Sequence, residues 1–352
     1  MSQLRFGIVG AGMIAKSGAN SFNSHPDAAF VAAHDLNRER LEQLGREFEV
    51  DRLHDTAEAL FADDQVDGVY IAVPNKFHAP LAIQALEAGK HVILEKPFAM
   101  NAVEAEAVIA AADKAGRKFA LGMNQRFRED VQKLRTLVSQ GVFGEVYHAK
   151  TRWMRRSGIP RLGTWFGNRA LAGGGSINDI GVHALDLCLY ILDNFEPVSV
   201  SGVTYTKFGN RGIGEGGWGL SDREEITFDV DDFASALIKF RNGATVVLDT
   251  AWACHQKDPN QMGCELYGTE AGGAIPGPLL FRADPLRADY DVIENVQADA
   301  AFPHGDRFHN FINHILDREP LAATPQQSLV IQRILDAVNE SCRTGREVRL
   351  DG

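Results

Sequence analysis

A glycine-rich turn directly after the first hydrophobic run constrains the fold of this chain most strongly. Residues 7–15, GIVGAGMIA, place Gly10, Gly12 and Ala15 in a G-x-G-x-x-A pattern between a predicted strand and a predicted helix. In a dinucleotide-binding fold the first glycine makes the tight turn, the second lets the backbone approach a pyrophosphate, and the small third residue permits close packing of helix on strand. The pattern therefore predicts a dinucleotide site formed by Gly10, Gly12, Met13 and Ile14, where backbone N–H groups face the anion.

An acidic residue at the end of the second predicted strand supports this interpretation. Asp35, in AAHDLNRER, lies where the dinucleotide fingerprint requires an acid, about 20 residues after the turn. A carboxylate there accepts hydrogen bonds from ribose hydroxyls and repels a 2′-phosphate, so NAD is favoured over NADP, with Leu36 also expected at the cofactor. Arg38 argues the other way, because a guanidinium can bind that phosphate. In the alternative interpretation the turn binds nothing and Asp35 caps the next helix.

Alternating hydrophobic runs and helical periodicity predict a doubly wound parallel sheet over the first 122 residues. Strands are expected at RFGIVG, AAFVAAH, VDGVYIAVP, KHVILEKP and RKFALGM, with amphipathic or alanine-rich helices between them. Residues 1–122 are therefore predicted to form a Rossmann domain that binds NAD.

The pattern changes after residue 122. Helices are predicted at REDVQKLRTLVSQG and INDIGVHALDLCLYIL, and an extended segment at EVYHAKTRWMRR. Strand-like runs without intervening helices dominate residues 198–294, including a hairpin at Asn242-Gly243, and helices are predicted at about 304–317 and 325–343. We therefore predict an α/β protein whose second domain, residues 123–352, contains an antiparallel sheet with one face covered.

Composition and charge exclude several classes of partner. The net charge of −11 over 352 residues disfavours nucleic acid, which is bound by basic surfaces. No apolar run approaches the length of about 20 residues that spans a bilayer, and the N-terminal residues lack the basic region of a signal peptide. The four cysteines show no CxxC spacing, so no metal site and no disulfide is predicted, and a cytoplasmic location is expected.

Two longer segments carry a family resemblance. ILEKP at 93–97 ends the segment AVPNKFHAPLAIQALEAGKHVILEKP, and AGGGSINDIGVHALDL follows at 172–187. Together with the glycine turn, they resemble the glucose–fructose oxidoreductase, inositol dehydrogenase and MocA (Gfo/Idh/MocA) family over nearly the whole chain. The resemblance implies a Rossmann domain joined to an α/β domain with a large, open, mostly antiparallel sheet. In many members that sheet forms the subunit interface, so a homodimer or homotetramer is expected.

Three residues are the catalytic candidates. Asp179 and His183 are four residues apart on a predicted helix and so share one face. An imidazole suits removal of a hydroxyl proton while a nicotinamide accepts the hydride, and Asp179 is expected to bind a substrate hydroxyl and to raise the basicity of His183. Lys96 follows a strand and is expected to stabilise an alkoxide or to relay the proton. The resemblance assigns the same broad roles, while a surface pair and a simple turn are the alternatives.

Further residues are expected at the cofactor. Glu95 is expected either to reach the nicotinamide ribose or to pair with a base such as Arg126. Trp165 matches a tryptophan that the family often places near the cofactor, but Phe166 follows it here where many members have arginine. The complete additional set of cofactor positions is Pro74, Asn75, His78, Glu95, Lys96, Asn124, Arg126 and Trp165.

The substrate set joins the catalytic residues to a basic segment. Lys96, Asp179 and His183 are expected to contact substrate together with Arg152 and Trp153. The segment KTRWMRRSGIPRLGTW is either a pocket wall that binds an anionic group or a solvated edge or interface.

Three functions follow from these residues. The first is an NAD-dependent dehydrogenase that acts on a secondary hydroxyl of a sugar, polyol or glycoside. The second is a glycosidase that works through a transient 3-keto sugar and regenerates NAD in each cycle. The third is a non-catalytic regulator that senses the cofactor.

Overall fold

Two β-sheets organise the chain in the computed structural model, which describes residues 3–217, 228–284, 289–294, 296–302 and 305–350. The strands of the first sheet are β1 (Leu4–Val9), β2 (Ala28–His34), β3 (Arg52–His54), β4 (Gly68–Ile71), β5 (His91–Leu94) and β6 (Phe119–Leu121). The helices between them are α1 (Ala15–Ser24), α2 (Arg38–Phe48), α3 (Ala57–Ala62), α4 (His78–Glu87) and α5 (Ala102–Ala115).

The first sheet is parallel throughout, with strand order β3-β2-β1-β4-β5-β6. This is the doubly wound order, in which the order of the strands reverses between β1 and β4 and leaves a crevice at the carboxyl ends of the strands. The central strands are buried on both faces, which explains their continuous hydrophobic runs. The predicted Rossmann fold is confirmed.

The second sheet contains nine strands. They are β7 (Val146–Arg155), β8 (Pro197–Tyr205), β9 (Phe233–Phe240), β10 (Thr245–Ala251), β11 (Asn260–Gly268), β12 (Gly272–Ile275), β13 (Leu279–Asp284), β14 (Asp289–Glu294) and β15 (Val348–Arg349). Their order is β14-β13-β12-β11-β7-β10-β9-β8-β15, and every pairing is antiparallel except that of β7 with β10. The predicted antiparallel sheet and the β9–β10 hairpin at Asn242-Gly243 are confirmed.

Helices cover one face of the second sheet, and they are α6 (Glu129–Ser139), α8 (Val182–Leu192) and α10 (Pro325–Thr344). The second part of the chain also contains α7 (Arg169–Ala172) and α9 (Arg307–Ile315), which pack elsewhere. The hydroxyl of Thr151, on β7, donates to the carbonyl oxygen of Ala184 at 2.8 Å and so ties α8 to the sheet. The opposite face is exposed to solvent.

Helix α9 returns to the first sheet although it is distant in sequence. Phe308 lies with its ring centroid 5.2 Å from that of Phe22 and 4.9 Å from that of Tyr70, in an aromatic cluster of the Rossmann half. The first sheet ends at Leu121, beside the expected domain boundary at residue 122, but residues 307–315 pack with it. The second part of the chain therefore contributes one helix, and with it Arg307, to the first.

The predicted helix over INDIGVHALDLCLYIL is divided in the structure. Residues Ile177–Gly181 form one π-helical turn, and α8 begins only at Val182. Such π turns occur frequently at functional sites. In the part of the chain that the structure describes, no helix is both long and apolar enough to cross a membrane.

Candidate active site

A cavity of about 990 Å³ lies between the carboxyl ends of the first sheet and the second domain. Both halves of the chain line it, as the open crevice of a doubly wound sheet requires. The residues expected from sequence that line it are Gly10, Gly12, Met13, Ile14, Asp35, Leu36, Pro74, Asn75, Glu95, Lys96, Asn124, Trp165, Asp179 and His183.

The glycine turn has the geometry of an anion cradle. Gly10 has φ +100°, and a Cβ there would lie 2.2 Å from the carbonyl oxygen of Ala72, so no other residue fits. At Gly12 a Cβ would meet nothing within 4 Å, which leaves open space on the cavity side. Helix α1 starts without a side-chain cap and without an acidic residue in its first turn. The backbone N–H groups at this end are therefore suited to a pyrophosphate.

Asp35 connects the turn to the second strand. One carboxylate oxygen accepts the N–H of Ala11 and the other accepts the N–H of Asn37, each at 2.6 Å. Asn37, not Asp35, caps α2 through the N–H of Arg40 at 3.0 Å. Asp35 therefore braces the turn from the cavity wall, where a ribose would lie in a Rossmann fold.

Lys96 and Asp179 meet across the two halves. Lys96 lies two residues after the end of β5. Its Nζ donates to Oδ1 of Asp179 at 2.8 Å and to the backbone oxygen of Asp179 at 3.1 Å. The indole N–H of Trp252 donates to Oδ2 of Asp179 at 2.8 Å. Burial raises the pKa of the carboxyl, but the Lys96 charge and these hydrogen bonds lower the pKa of Asp179 below its ordinary value. Asp179 is an ionised carboxylate with both oxygens occupied.

His183 lies beside this pair in a buried part of the cavity wall. Burial, followed by the positive charge of Lys96, lowers the pKa of His183 well below the ordinary value, although Asp179 acts in the opposite direction. Asp179 does act to raise the pKa of His183 through its charge, as expected, but burial and Lys96 outweigh the carboxylate and the net shift is downward. The ring lies 5.7 Å from that of Trp153, and Nδ1 is buried without a hydrogen-bond partner among the described residues. His183 is neutral at pH 7.

Glu95 belongs to a buried network at the same end of the cavity. The hydroxyl of Tyr70 donates to Oε1 of Glu95 at 2.6 Å, and Arg307 forms an ion pair with the same oxygen. Arg307 also donates to the carbonyl oxygen of Gly122 at 2.7 Å. The base that pairs with Glu95 is thus Arg307 of α9 and not Arg126.

Two residues expected at the cofactor lie elsewhere. His78 is fully buried, and its ring nitrogens contact the carbonyl oxygens of Pro97 at 2.7 Å and Val73 at 2.9 Å. Arg126 is also fully buried and pairs with Asp186 at 2.6 Å. Neither lines the cavity, since each satisfies buried polar groups in the packing around it.

Three further expected residues also lie outside the cavity lining. Arg38 pairs with Glu42 on its own helix, and Arg40 lines the cavity in its place. Arg152 pairs with Glu265 at 3.0 Å on the outer face of the second sheet, because alternation along β7 directs it away from α8. Trp153 points to the inner face and contacts the His183 ring.

Sequence reasoning missed several residues of the site. Trp252 and Arg307 line the cavity but belong to no motif. The buried carboxylate of Asp231 accepts hydrogen bonds from Gly175 N at 2.7 Å, Ser176 Oγ at 2.7 Å and Ile177 N at 2.9 Å, and so holds the start of the π turn. The side-chain hydrogen-bond partners named here for Trp252, Arg307 and Asp231 are 54 or more residues away in sequence, so no local signal reveals them.

The fold and the cavity define a two-domain dinucleotide-binding protein with a lysine, a carboxylate and a histidine at the cavity wall. Residues 4–123 match the oxidoreductase family with an NAD-binding Rossmann fold, and residues 131–272 match the GFO/IDH/MocA C-terminal domain. A D-glucoside 3-dehydrogenase of Escherichia coli is 32% identical over 99% of this chain and 98% of its own length. The chain therefore belongs to the Gfo/Idh/MocA family of oxidoreductases, as the resemblance predicted, and its first domain is an NAD-binding Rossmann domain.

Other known proteins are similar over most of their length. A levoglucosan dehydrogenase of Pseudarthrobacter phenanthrenivorans is 26% identical over 87% of this chain and 83% of its own. The structure of an aldose-aldose oxidoreductase from Caulobacter crescentus superposes with a TM-score of 0.78 at 26% identity, covering 99% of this chain and 100% of that one. A levoglucosan dehydrogenase in complex with NADH and levoglucosan superposes with a TM-score of 0.85 at 21% identity, covering 100% of both chains, which shows the shared fold.

Proposed function

We propose that the protein is an NAD-dependent dehydrogenase that oxidises a secondary hydroxyl of a sugar, polyol or glycoside. One observation carries the proposal: Lys96, Asp179 and His183, from both halves of the chain, line the same cavity as the glycine turn. The similarity to a D-glucoside 3-dehydrogenase over nearly the full length supports a glycoside as substrate.

The chemistry divides among the three residues. NAD, when bound, supplies a nicotinamide that accepts a hydride. His183 is neutral and accepts the proton of the substrate hydroxyl. The ammonium of Lys96 stabilises the negative charge that develops on that oxygen, and Asp179 holds the ammonium in place.

We propose NAD rather than NADP as the cofactor. Asp35 lines the cavity and presents a negative charge where the 2′-phosphate of NADP would bind in a Rossmann fold. Arg38, whose guanidinium could bind that phosphate, forms ion pairs with Glu42 and Asp55 instead.

A redox-neutral glycosidase is the second candidate. It is favoured by the relative that acts on glucosides at position 3, because oxidation there acidifies the neighbouring C–H bond and permits elimination of the aglycone. Purified protein with NAD and a panel of glycosides separates the two. NADH accumulation in proportion to product supports the dehydrogenase, aglycone release without net NADH supports the glycosidase, and no turnover of any sugar supports a regulator.

We also propose that two or four copies associate through the outer face of the second sheet. Val203, Tyr205 and Leu237 are exposed there, and the ion pairs Arg152–Glu265 and Lys239–Glu347 neutralise the face of an otherwise acidic chain. A second copy is the partner that such a near-neutral sheet face fits. Light scattering of wild type and Leu237→Glu tests this, with Val103→Glu, at an exposed position of α5, as control. A monomeric wild type would contradict the proposal.

A further inference from the structure

Trp252 is held rigidly at the junction between the second sheet and the cavity. It directly follows β10, and its backbone N–H donates to the carbonyl oxygen of Asp232 at 2.9 Å. Its side chain is fully buried in a cluster with Ile159, Ile180 and Val230. The indole therefore has little freedom to move.

The single polar group of this side chain is directed at Asp179. An indole N–H is a donor only, and it contacts Oδ2 of Asp179 at 2.8 Å. The other oxygen, Oδ1, accepts from Nζ of Lys96 at 2.8 Å. The carboxylate is therefore held between two donors that belong to different sheets.

The two hydrogen bonds together fix the orientation of the Asp179 carboxylate, which a single hydrogen bond does not. The terminal torsion of an aspartate is soft, so a single hydrogen bond from Lys96 leaves the plane of the carboxylate free to turn. A second donor on the opposite oxygen fixes that plane. Because the lysine chain is long and flexible, the position of Nζ depends on the carboxylate that it contacts.

We propose, resting on the dehydrogenase function above, that Trp252 is a positioning residue that fixes the plane of the Asp179 carboxylate and thereby holds the Lys96 ammonium at the reacting oxygen. It acts through Asp179 and leaves the cofactor-binding turn untouched.

Loss of the indole N–H of Trp252 can be detected through the pKa of the Asp179 carboxyl, which depends on the groups around it. The charges of Lys96 and Arg155 act on Asp179, and those of Lys96, Asp179, Arg307 and Arg155 act on the neighbouring His183. Burial raises the pKa of Asp179, and the indole N–H is one of the groups that oppose burial. Without the N–H, the carboxyl of Asp179 should take up a proton at higher pH than in wild type.

The test uses the full-length protein in two altered forms. Trp252→Phe removes the N–H together with one ring, and replacement of Trp252 by 3-benzothienylalanine keeps both fused rings and removes only the N–H. Tyr267→Phe is the control, because it removes an aromatic donor to Glu265 on the outer sheet face. The measurements are kcat, KM, Kd for NAD, and the titration of the Asp179 carboxyl by ¹³C NMR, assigned by its absence in Asp179→Asn.

Both altered forms should lose kcat by about 10-fold, as expected for a buried hydrogen bond to a charged group, with Kd for NAD changed by less than about 3-fold. The Asp179 carboxyl should titrate at higher pH in both, and Tyr267→Phe should match wild type. An unchanged titration, or an unchanged kcat, in the benzothienyl form would overturn the proposal. If wild type oxidises no sugar, the dehydrogenase function fails, whereas the NMR titration still decides whether Trp252 controls Asp179.

Discussion

The Lys96 ammonium and the Asp179 carboxylate lie 2.8 Å apart, although they belong to different halves of the chain. Lys96 extends from the end of the first sheet, and Asp179 lies on the π turn that precedes α8. This ion pair therefore holds the catalytic candidates of the second domain at the crevice of the first.

Lys96→Met tests the electrostatic role of the ammonium. Removing a preorganised charge from a developing alkoxide should lower kcat/KM by about 100-fold or more, with Kd for NAD nearly unchanged. Steady-state kinetics and a binding titration measure the two effects. Lys118→Met, which removes a surface ion pair with Asp317, is the control. Equal losses in NAD binding and in kcat/KM would contradict the role given to Lys96.

The acid side of the pH profile tests His183. Its pKa is lowered well below the ordinary value by burial and by Lys96, so the neutral base persists to lower pH. We expect kcat/KM to stay high as pH falls below about 6.5, the value of an unperturbed histidine, and to decline only under more acidic conditions. A decline centred at or above about 6.5 would assign the proton to a different group.

His91 makes folding stability depend on pH. Burial, followed by the charge of Arg117, lowers the pKa of His91 to about 4. The unfolded chain therefore binds the extra proton between about 6.5 and this value, and the free energy of unfolding should fall as pH is lowered through that window. Denaturant titrations at a series of pH values give the slope of the unfolding free energy against pH. This slope should be smaller for His91→Gln than for wild type, and it should equal the wild-type slope for His255→Gln, which alters an exposed ring. Equal slopes in all three proteins would rule out the linkage.

Arg126→Met tests the reassignment of Arg126 from the cofactor to the core. The variant leaves Asp186 buried without its ion pair, which typically costs about 3–5 kcal/mol of unfolding free energy. The double variant Arg126→Met, Asp186→Leu should recover part of that loss. Kd for NAD, measured at a temperature where all proteins are folded, should not change. A loss of NAD binding without a loss of stability would contradict this role and would show that Arg126 contacts the cofactor.

Asp231→Asn tests the support of the catalytic turn. The buried carboxylate accepts three hydrogen bonds at residues 175–177, so its loss should cost about 1–3 kcal/mol and should lower kcat. Asp229→Asn, at an exposed carboxylate bonded to the N–H of Arg169, is the control and should cost less. Wild-type stability for Asp231→Asn would contradict this role.

The sequence predicts those parts of the molecule that are determined locally. The glycine turn, Asp35 and the hydrophobic strands have fixed spacing, and the structure contains the predicted Rossmann sheet. The three-residue strand β3 is too short for a period to be recognised. The spacing of Asp179 and His183 predicts one turn of an α-helix, whereas Asp179 lies on a π turn that ends just before α8, which contains His183.

Long-range partners could not be predicted. Glu95 contacts Arg307, which is 212 residues away, and Asp179 contacts Trp252, which is 73 residues away. A basic segment also gives no indication of which arginines face the sheet interior until the register of β7 is known, so Arg152 could not be assigned to the outer face. Burial, which decides the protonation of His183, likewise depends on the assembled structure.

Transfer of a labelled hydride tests the central claim most directly. Purified protein is incubated with NAD and a glycoside that carries deuterium at the carbon to be oxidised, and the nicotinamide is analysed by mass spectrometry. Deuterium should appear on the reduced nicotinamide with wild type, and at most at a small fraction of that rate with Lys96→Met and His183→Gln. Absence of label with wild type across glycosides, inositols and sugar acids, or equal transfer by the variants, would contradict the account.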